Sequence, residues 1–166
     1  MKLLFISLGC DKNLVDSEEM LGMLAADGHE IVDDEDEAEV IIVNTCCFIG
    51  DAKEESVNTI LEMAEKKKAG TCKVLIVTGC MAQRYKKEIS EEIPEVDAIL
   101  GTTSYGDISK AVKEAQAGRH FEEYKSIDFL PDISGKRMLT TGGHFAYLKI
   151  AEGCDKHCTY CIIPRL

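Results

Sequence analysis

The sequence predicts an α/β fold built on an open, doubly wound parallel sheet, and three observations carry that expectation. KLLFISLGC (2–10), EVIIVNTCC (39–47) and KVLIVTGC (73–80) are unbroken apolar runs, each closed by a cysteine. Such runs, without polar alternation, suit parallel strands covered on both faces. Each is followed by a stretch of helical periodicity, and strand–helix alternation at this spacing implies right-handed crossovers.

Taken in order, the first run leads into a helix whose start is expected at Asp16, with Glu19 three residues on, a relative of the capping box. Met20, Met23 and Leu24 carry its apolar face and Gly28 ends it. After the second run, Asp51 and Glu54 repeat the device. Val57, Ile60, Leu61 and Ala64 then fall at helical spacing, with Gly70 beyond the end. After the third run, RYKKEISEEIP gives a shorter helix stopped by Pro94. A fourth strand, DAILG (97–101), precedes a helix with Ile108, Ala111, Val112 and Ala115 on one face and Gly118 as its stop. The acidic run DDEDEAE (33–39) reads as a solvated loop.

Beyond Gly118 the pattern changes. FEEYKSIDFLPDISGKRMLTTGG (121–143) has no helical periodicity and many turn formers, so it reads as a strand or two and a connector. HFAYLKIAEGC (144–154) begins a new strand, and the chain stops twelve residues after Cys154. The expected organisation is a first domain over 1–120, a strand and connector over 121–143, and the start of a truncated second domain over 144–166.

Composition narrows the class. With 166 residues, 45% hydrophobic and 30% charged, the chain is globular. No apolar run approaches the roughly 20 residues of a membrane span. A net charge of −11 disfavours a nucleic-acid grip by this segment alone. The start, MKLLFISLGCDKN, could pass for a lipoprotein signal. Its apolar stretch, Leu3 to Gly9, lies at the bottom of the roughly 7–15 residues needed, and Ser7 stands where leucine is preferred. A cytoplasmic chain is therefore expected, in which clustered cysteines bind metal or do chemistry.

There are eight cysteines, and six of them form two sets. Cys154, Cys158 and Cys161 make a C-x-x-x-C-x-x-C array, with Tyr160 before the last. Three thiolates on one loop can cap three irons of a four-iron cluster and leave the fourth iron open. Zinc is the alternative, with His157 as a fourth ligand. Cys10, Cys46 and Cys80 each stand past the carboxyl end of a predicted parallel strand. That edge is where doubly wound sheets bind ligands. Cys72 precedes a strand, at the other end from Cys80, and reads as structural. His29, His120 and His144 show no ligand spacing, and no GxGxxG or Walker string occurs.

GCDKHCTYC resembles the cluster loop of the radical S-adenosylmethionine enzymes. AYLKIAEGCDKHCTYCIIP, together with SLGCDKNLVDSE, resembles the methylthiotransferase family among them. LGC-x-KN-x-VDSE is similar to the RimO branch, which methylthiolates an aspartate of a small-subunit ribosomal protein. The tRNA-modifying MiaB branch has a GCQMN-like string at that place, and tRNA is the alternative substrate. The resemblance implies two 4Fe-4S clusters. Cys154, Cys158 and Cys161 would hold the one that binds S-adenosylmethionine, with Tyr160 beside it, and Cys10, Cys46 and Cys80 would hold the other. It implies two S-adenosylmethionine molecules per turnover, one a methyl donor and one the source of a 5′-deoxyadenosyl radical. An external reductant of the flavodoxin or ferredoxin kind is implied as well. The fold would be the family's N-terminal domain, followed by the first strand and cluster loop of a truncated radical-SAM barrel, inactive by itself. Cys47 departs from the pattern, because relatives commonly have glycine there. As the residue after a ligand it is expected to point elsewhere and to replace Cys46 in a damaged site; Cys47 in place of Cys46 is the alternative assignment.

Overall fold

The structure, a computed structural model, describes residues 1–130 and 135–165. Residues 131–134 of the expected connector and residue 166 lie outside the described residues. Six strands are ordered β2-β1-β3-β4-β5-β6, and every neighbouring pair is parallel. They are β1 (Lys2–Ser7), β2 (Glu30–Ile31), β3 (Val40–Thr45), β4 (Val74–Gly79), β5 (Ala98–Leu100) and β6 (Phe121–Glu123). Five helices connect them: α1 (Asp11–Ala26), α2 (Gly50–Lys68), α3 (Cys80–Arg84), α4 (Lys86–Glu92) and α5 (Ile108–Gln116). The chain goes to one side of β1 for β2 and to the other for β3. The strand order therefore switches between β1 and β3, the position of the ligand crevice in doubly wound sheets.

Strand residues divide alternately between two cores, as a pleated sheet covered on both sides requires. Ile41, Val43, Leu75, Val77 and Ile99 face Ile60, Met63 and Ala64 of α2 and Ile89 of α4. Val40, Ile42, Val74, Ile76 and Leu100 face Met20 and Leu24 of α1 and Ile108, Ala111 and Val112 of α5. Gly28, Gly70 and Gly118 follow the ends of α1, α2 and α5 at positive φ, where a Cβ would be strained. No helix among the described residues is long and apolar enough to cross a membrane.

Four local expectations are corrected. α1 begins at Asp11 with Cys10 at its N-cap, so Asp16 lies inside the helix and caps nothing. α2 begins at Gly50 with Ile49 as N-cap, and the Asp51 carboxylate makes no capping bond. On α2, Ile60 and Ala64 are buried, but Val57 and Leu61 remain 40% and 46% exposed, since neither lies over the sheet. Finally, residues 144–154 form no strand, because the segment has no neighbouring strand to supply a ladder. The two-residue β2 has no apolar run to announce it and depends on pairing with Lys2 and Leu3.

The segment after β6 is nevertheless fastened to the domain. Lys136 passes so near α1 that a Cβ on Gly22 would collide with its carbonyl oxygen. The Met138 N–H bonds the Glu18 carbonyl at 2.9 Å. The buried Glu18 carboxylate accepts from Arg137 Nε at 2.6 Å and from the Thr140 N–H and hydroxyl at 2.6 and 2.8 Å.

Candidate metal centre

β1, β3 and β4 are adjacent and end at the same edge of the sheet; β1 and β4 are each followed closely by one cysteine and β3 by two, Cys46 and Cys47. Cys10 lies three residues past β1 as the N-cap of α1. Cys46 directly follows β3, and Cys80 directly follows β4 as the first residue of α3. Strand neighbours stand about 4.8 Å apart, so three adjacent ends put the cysteines within one narrow zone.

Two glycines permit this convergence. Gly9 and Gly79, each immediately before a cysteine, adopt φ +95° and +94°. A Cβ on Gly9 would stand 2.5 Å from Cys46 Cβ and 2.7 Å from Cys46 Sγ. One on Gly79 would stand 2.5 Å from the Thr45 carbonyl oxygen and would also strike the Asn44 side chain. Only glycine lets these turns pass so close to the end of β3.

Asn13, buried in the first turns of α1, fastens the edge together. Its Nδ2 donates to the carbonyls of Leu8 at 3.0 Å and Thr45 at 2.9 Å. Its Oδ1 lies 3.8 Å from Cys80 Sγ. Asn44 donates in turn to the Asn13 carbonyl at 3.0 Å and to Ser17 Oγ at 2.9 Å. The Cys46 backbone is held from the other side by Ser56 Oγ, which accepts from its N–H at 3.0 Å and donates to its carbonyl at 2.9 Å.

The three thiols differ in exposure. Cys10 is exposed, while Cys46 and Cys80 are buried. Cys10 and Cys46 open onto a cleft of ≈ 750 Å³ lined also by Phe48, Ile49, Asp51 and Glu55. Cys80 lies outside that lining, beside Asn13. Burial pushes its thiol up to about 12; Lys12 opposes this, and nearby Cys47, Cys46 and Cys10 reinforce it. Cys47 is buried among apolar side chains, and burial raises its thiol against the pull of Arg84. Cys72 lies at the opposite end of β4, with Sγ 3.0 Å from the Val74 carbonyl oxygen.

The second set is less gathered. Cys154 and Cys158 are exposed and Cys161 is half-buried, with its N–H bonded to the Cys158 carbonyl at 3.1 Å. Cys158 and Cys161 share a shallow depression of ≈ 520 Å³ with His157 and Tyr160, the latter 90% exposed, and Cys154 does not line it. Among the described residues no three His, Cys, Asp or Glu side chains close around one point that a single ion could fill. None of the eight cysteines is in a disulfide.

Residues 2–101 match the model of the uncharacterized protein family UPF0004. The chain belongs to that family. The UPF0004 match takes in β1 to β5 and the trio Cys10, Cys46 and Cys80, while Cys154, Cys158 and Cys161 lie beyond it. Among curated proteins the chain is 63% identical over 166 residues to the ribosomal protein uS12 methylthiotransferase RimO of Lachnoclostridium phytofermentans, covering 100% of this chain and 38% of that protein. It is 51% identical over 166 residues to the protein of the same name from Clostridioides difficile, covering 100% and 37%. The figures for that of Solibacter usitatus are 52% over 166 residues, 99% and 35%. The chain thus spans a little over a third of the length of these relatives.

Proposed function

We propose that this chain is the N-terminal part of a radical S-adenosylmethionine methylthiotransferase that modifies an aspartate of a small-subunit ribosomal protein. The observation that carries the reading is the meeting of Cys10, Cys46 and Cys80 at three adjacent strand ends, in a chain whose relatives bear the name uS12 methylthiotransferase. The donor set fits an iron–sulfur cluster. Thiolates are the ligands such clusters take, and three of them follow three adjacent strand ends, with Asp51 and Glu55 on the wall of the same cleft. A structural zinc ion asks for four ligands, and this trio supplies three thiols.

Within this reading Cys10, Cys46 and Cys80 hold one 4Fe-4S cluster, and Cys154, Cys158 and Cys161 hold a second that binds S-adenosylmethionine near Tyr160. When bound, the two clusters supply reductive cleavage of S-adenosylmethionine and a seat for the sulfur that is transferred. The chain's own contribution is placement. Gly9 and Gly79 let the cysteine turns approach, Asn13 locks them together, and Phe48 and Ile49 give the cleft an apolar lip. Residues 1–120 form the unit carrying the first set, and 144–166 belong to the next domain. An electron donor of flavodoxin or ferredoxin type completes the system, in the cytoplasm where its substrate resides.

The test uses the full-length protein, reconstituted anaerobically and incubated with S-adenosylmethionine, reductant and either a uS12 peptide or tRNA. A methylthio mass increment on an aspartate of the peptide is expected. An increment on tRNA alone would reassign the substrate. Zinc without sulfide in the reconstituted protein would sink the proposal.

A further inference from the structure

Four charged side chains near the start of α1 close into a ring. Asp16 Oδ2 meets Lys12 Nζ at 2.6 Å, and Asp16 Oδ1 meets Lys149 Nζ at 2.5 Å. Glu152 Oε1 meets Lys149 Nζ at 2.5 Å, and Glu152 Oε2 meets Lys12 Nζ at 3.2 Å. Each carboxylate thus gives one oxygen to each lysine. Two cations and two anions alternate and cancel, so little unpaired charge is left in a largely enclosed place. The Lys149 ammonium also lies 4.9 Å from the centroid of the Tyr105 ring and 3.2 Å from its hydroxyl, which adds a third part of the fold. Beside the ring, Tyr147, Leu148 and Ile150 line one groove with Asp11, Lys12 and Val15, so segment 147–152 is seated along the first turns of α1.

The ring's address gives it consequence. Lys12 is two residues after Cys10, and Glu152 is two residues before Cys154. Two residues of chain reach at most about 7 Å, so each loop is leashed closely to the ring. A single ion pair tolerates sliding, but a ring with every oxygen assigned closes in one register only. A further link between these regions, Glu18 with Arg137 and Thr140, holds the connector.

We propose that the Lys12–Asp16–Lys149–Glu152 ring registers the Cys154–Cys158–Cys161 loop against the Cys10–Cys46–Cys80 edge, making Asp16 and Lys149 positioning residues for transfer between the two cysteine sites. The docking stands on the geometry alone, and the part played in transfer rests on the function proposed above. Neither residue touches substrate; each acts by holding a loop.

The experiment uses full-length protein carrying Asp16→Asn, Lys149→Met, or both. In the metal-free protein, amide hydrogen exchange over residues 149–154 is expected to quicken about tenfold in each single variant. The double variant should be no faster than either single, since opening the ring once removes the shared contact. Exchange equal to wild type, or single effects that multiply, would overturn the docking. In reconstituted protein with unchanged iron content and melting temperature, the ratio of 5′-deoxyadenosine formed to methylthio product should rise about tenfold, because the radical still forms but its partner site is misaligned. An unchanged ratio with a lower overall rate would reduce the ring to a merely structural contact and overturn the positioning role. Wild-type protein that yields no methylthio product would sink the functional reading, with hydrogen exchange still deciding the docking.

Discussion

The backbone of Gly9 lies against the side chain of Cys46, and the space a Cβ would need on Gly9 is already filled by Cys46 Cβ and Sγ. A turn after β1 and a side chain after β3 therefore share one volume. Sites assembled from several strand ends depend on such approaches, which leave the cysteines little freedom to drift apart.

Gly9→Ala should cost about 1–3 kcal/mol from the positive φ alone, with the clash against Cys46 added. Gly28→Ala has a similar φ, +85°, but open space around it, so it should cost about 1 kcal/mol. Urea unfolding of the two variants measures the difference. Equal losses would mean that Gly9 matters only for its dihedral angle.

Asn13→Ala leaves the carbonyls of Leu8 and Thr45 without their buried donor, at about 2–4 kcal/mol. Asn13→Asp should be worse at neutral pH, because a carboxylate would then face carbonyl oxygens. An Asp in that place has a raised pKa, so its penalty is present above that pKa and fades as pH falls and the group protonates. The gap between the two variants should narrow from pH 7 towards pH 4 in chemical denaturation.

Glu18 gives a dependence of the opposite sign. Burial alone would raise its carboxyl, but the Thr140 N–H and hydroxyl and the Arg137 guanidinium outweigh it and hold the group below its ordinary value. A lowered carboxylate contributes stability that is complete above the unfolded pKa, roughly 4.3, and is lost as pH falls through the folded value. Residues 136–140 should therefore come loose from α1 in acid, read as rising protease cleavage near Lys136 and Arg137. Glu18→Gln should produce the same cleavage at pH 7 and cost about 2–3 kcal/mol, below a fully enclosed pair because Arg137 keeps 20% exposure.

α2 offers a contrast between neighbours. Ile60→Ala should cost about 2–4 kcal/mol as a cavity in the core against β3 and β4. Leu61→Lys should shift stability by no more than about 0.5 kcal/mol, since Leu61 faces solvent. A loss from Leu61→Lys matching that of Ile60→Ala would mean that this face of α2 is covered.

The contrast marks how far the amino-acid order is legible. β1, β3 and β4 can be read directly because each carries an unbroken run of four apolar residues, as strands covered on both faces need, and the glycines after α1, α2 and α5 mark real helix ends. The convergence of Cys10, Cys46 and Cys80 follows from those strands. What escapes local reading is anything decided by a distant partner. Asp16 resembles a helix cap until Lys149 arrives from far along the chain, and Asn13 looks like any polar residue in a helix until three strand ends surround it. Lys149 itself sits in a run that resembles a strand, yet the segment is spent on α1 and pairs with no strand.

The order of strands in the sheet also sets an order in time. A chain emerges from synthesis N-terminus first, and β1 and β3 can form their ladder while β4 is still to come. At that stage Cys10 and Cys46 are already neighbours and Cys80 is missing. A nascent domain in that state holds Cys10, Cys46 and the adjacent Cys47 but not Cys80, an arrangement open to oxidation into a disulfide. The third thiol can join the other two only once β4 has zipped onto β3, after about half of this chain has been made. The order β1-β3-β4 thus acts as a delay between the birth of the first thiol and the earliest moment at which all three can meet.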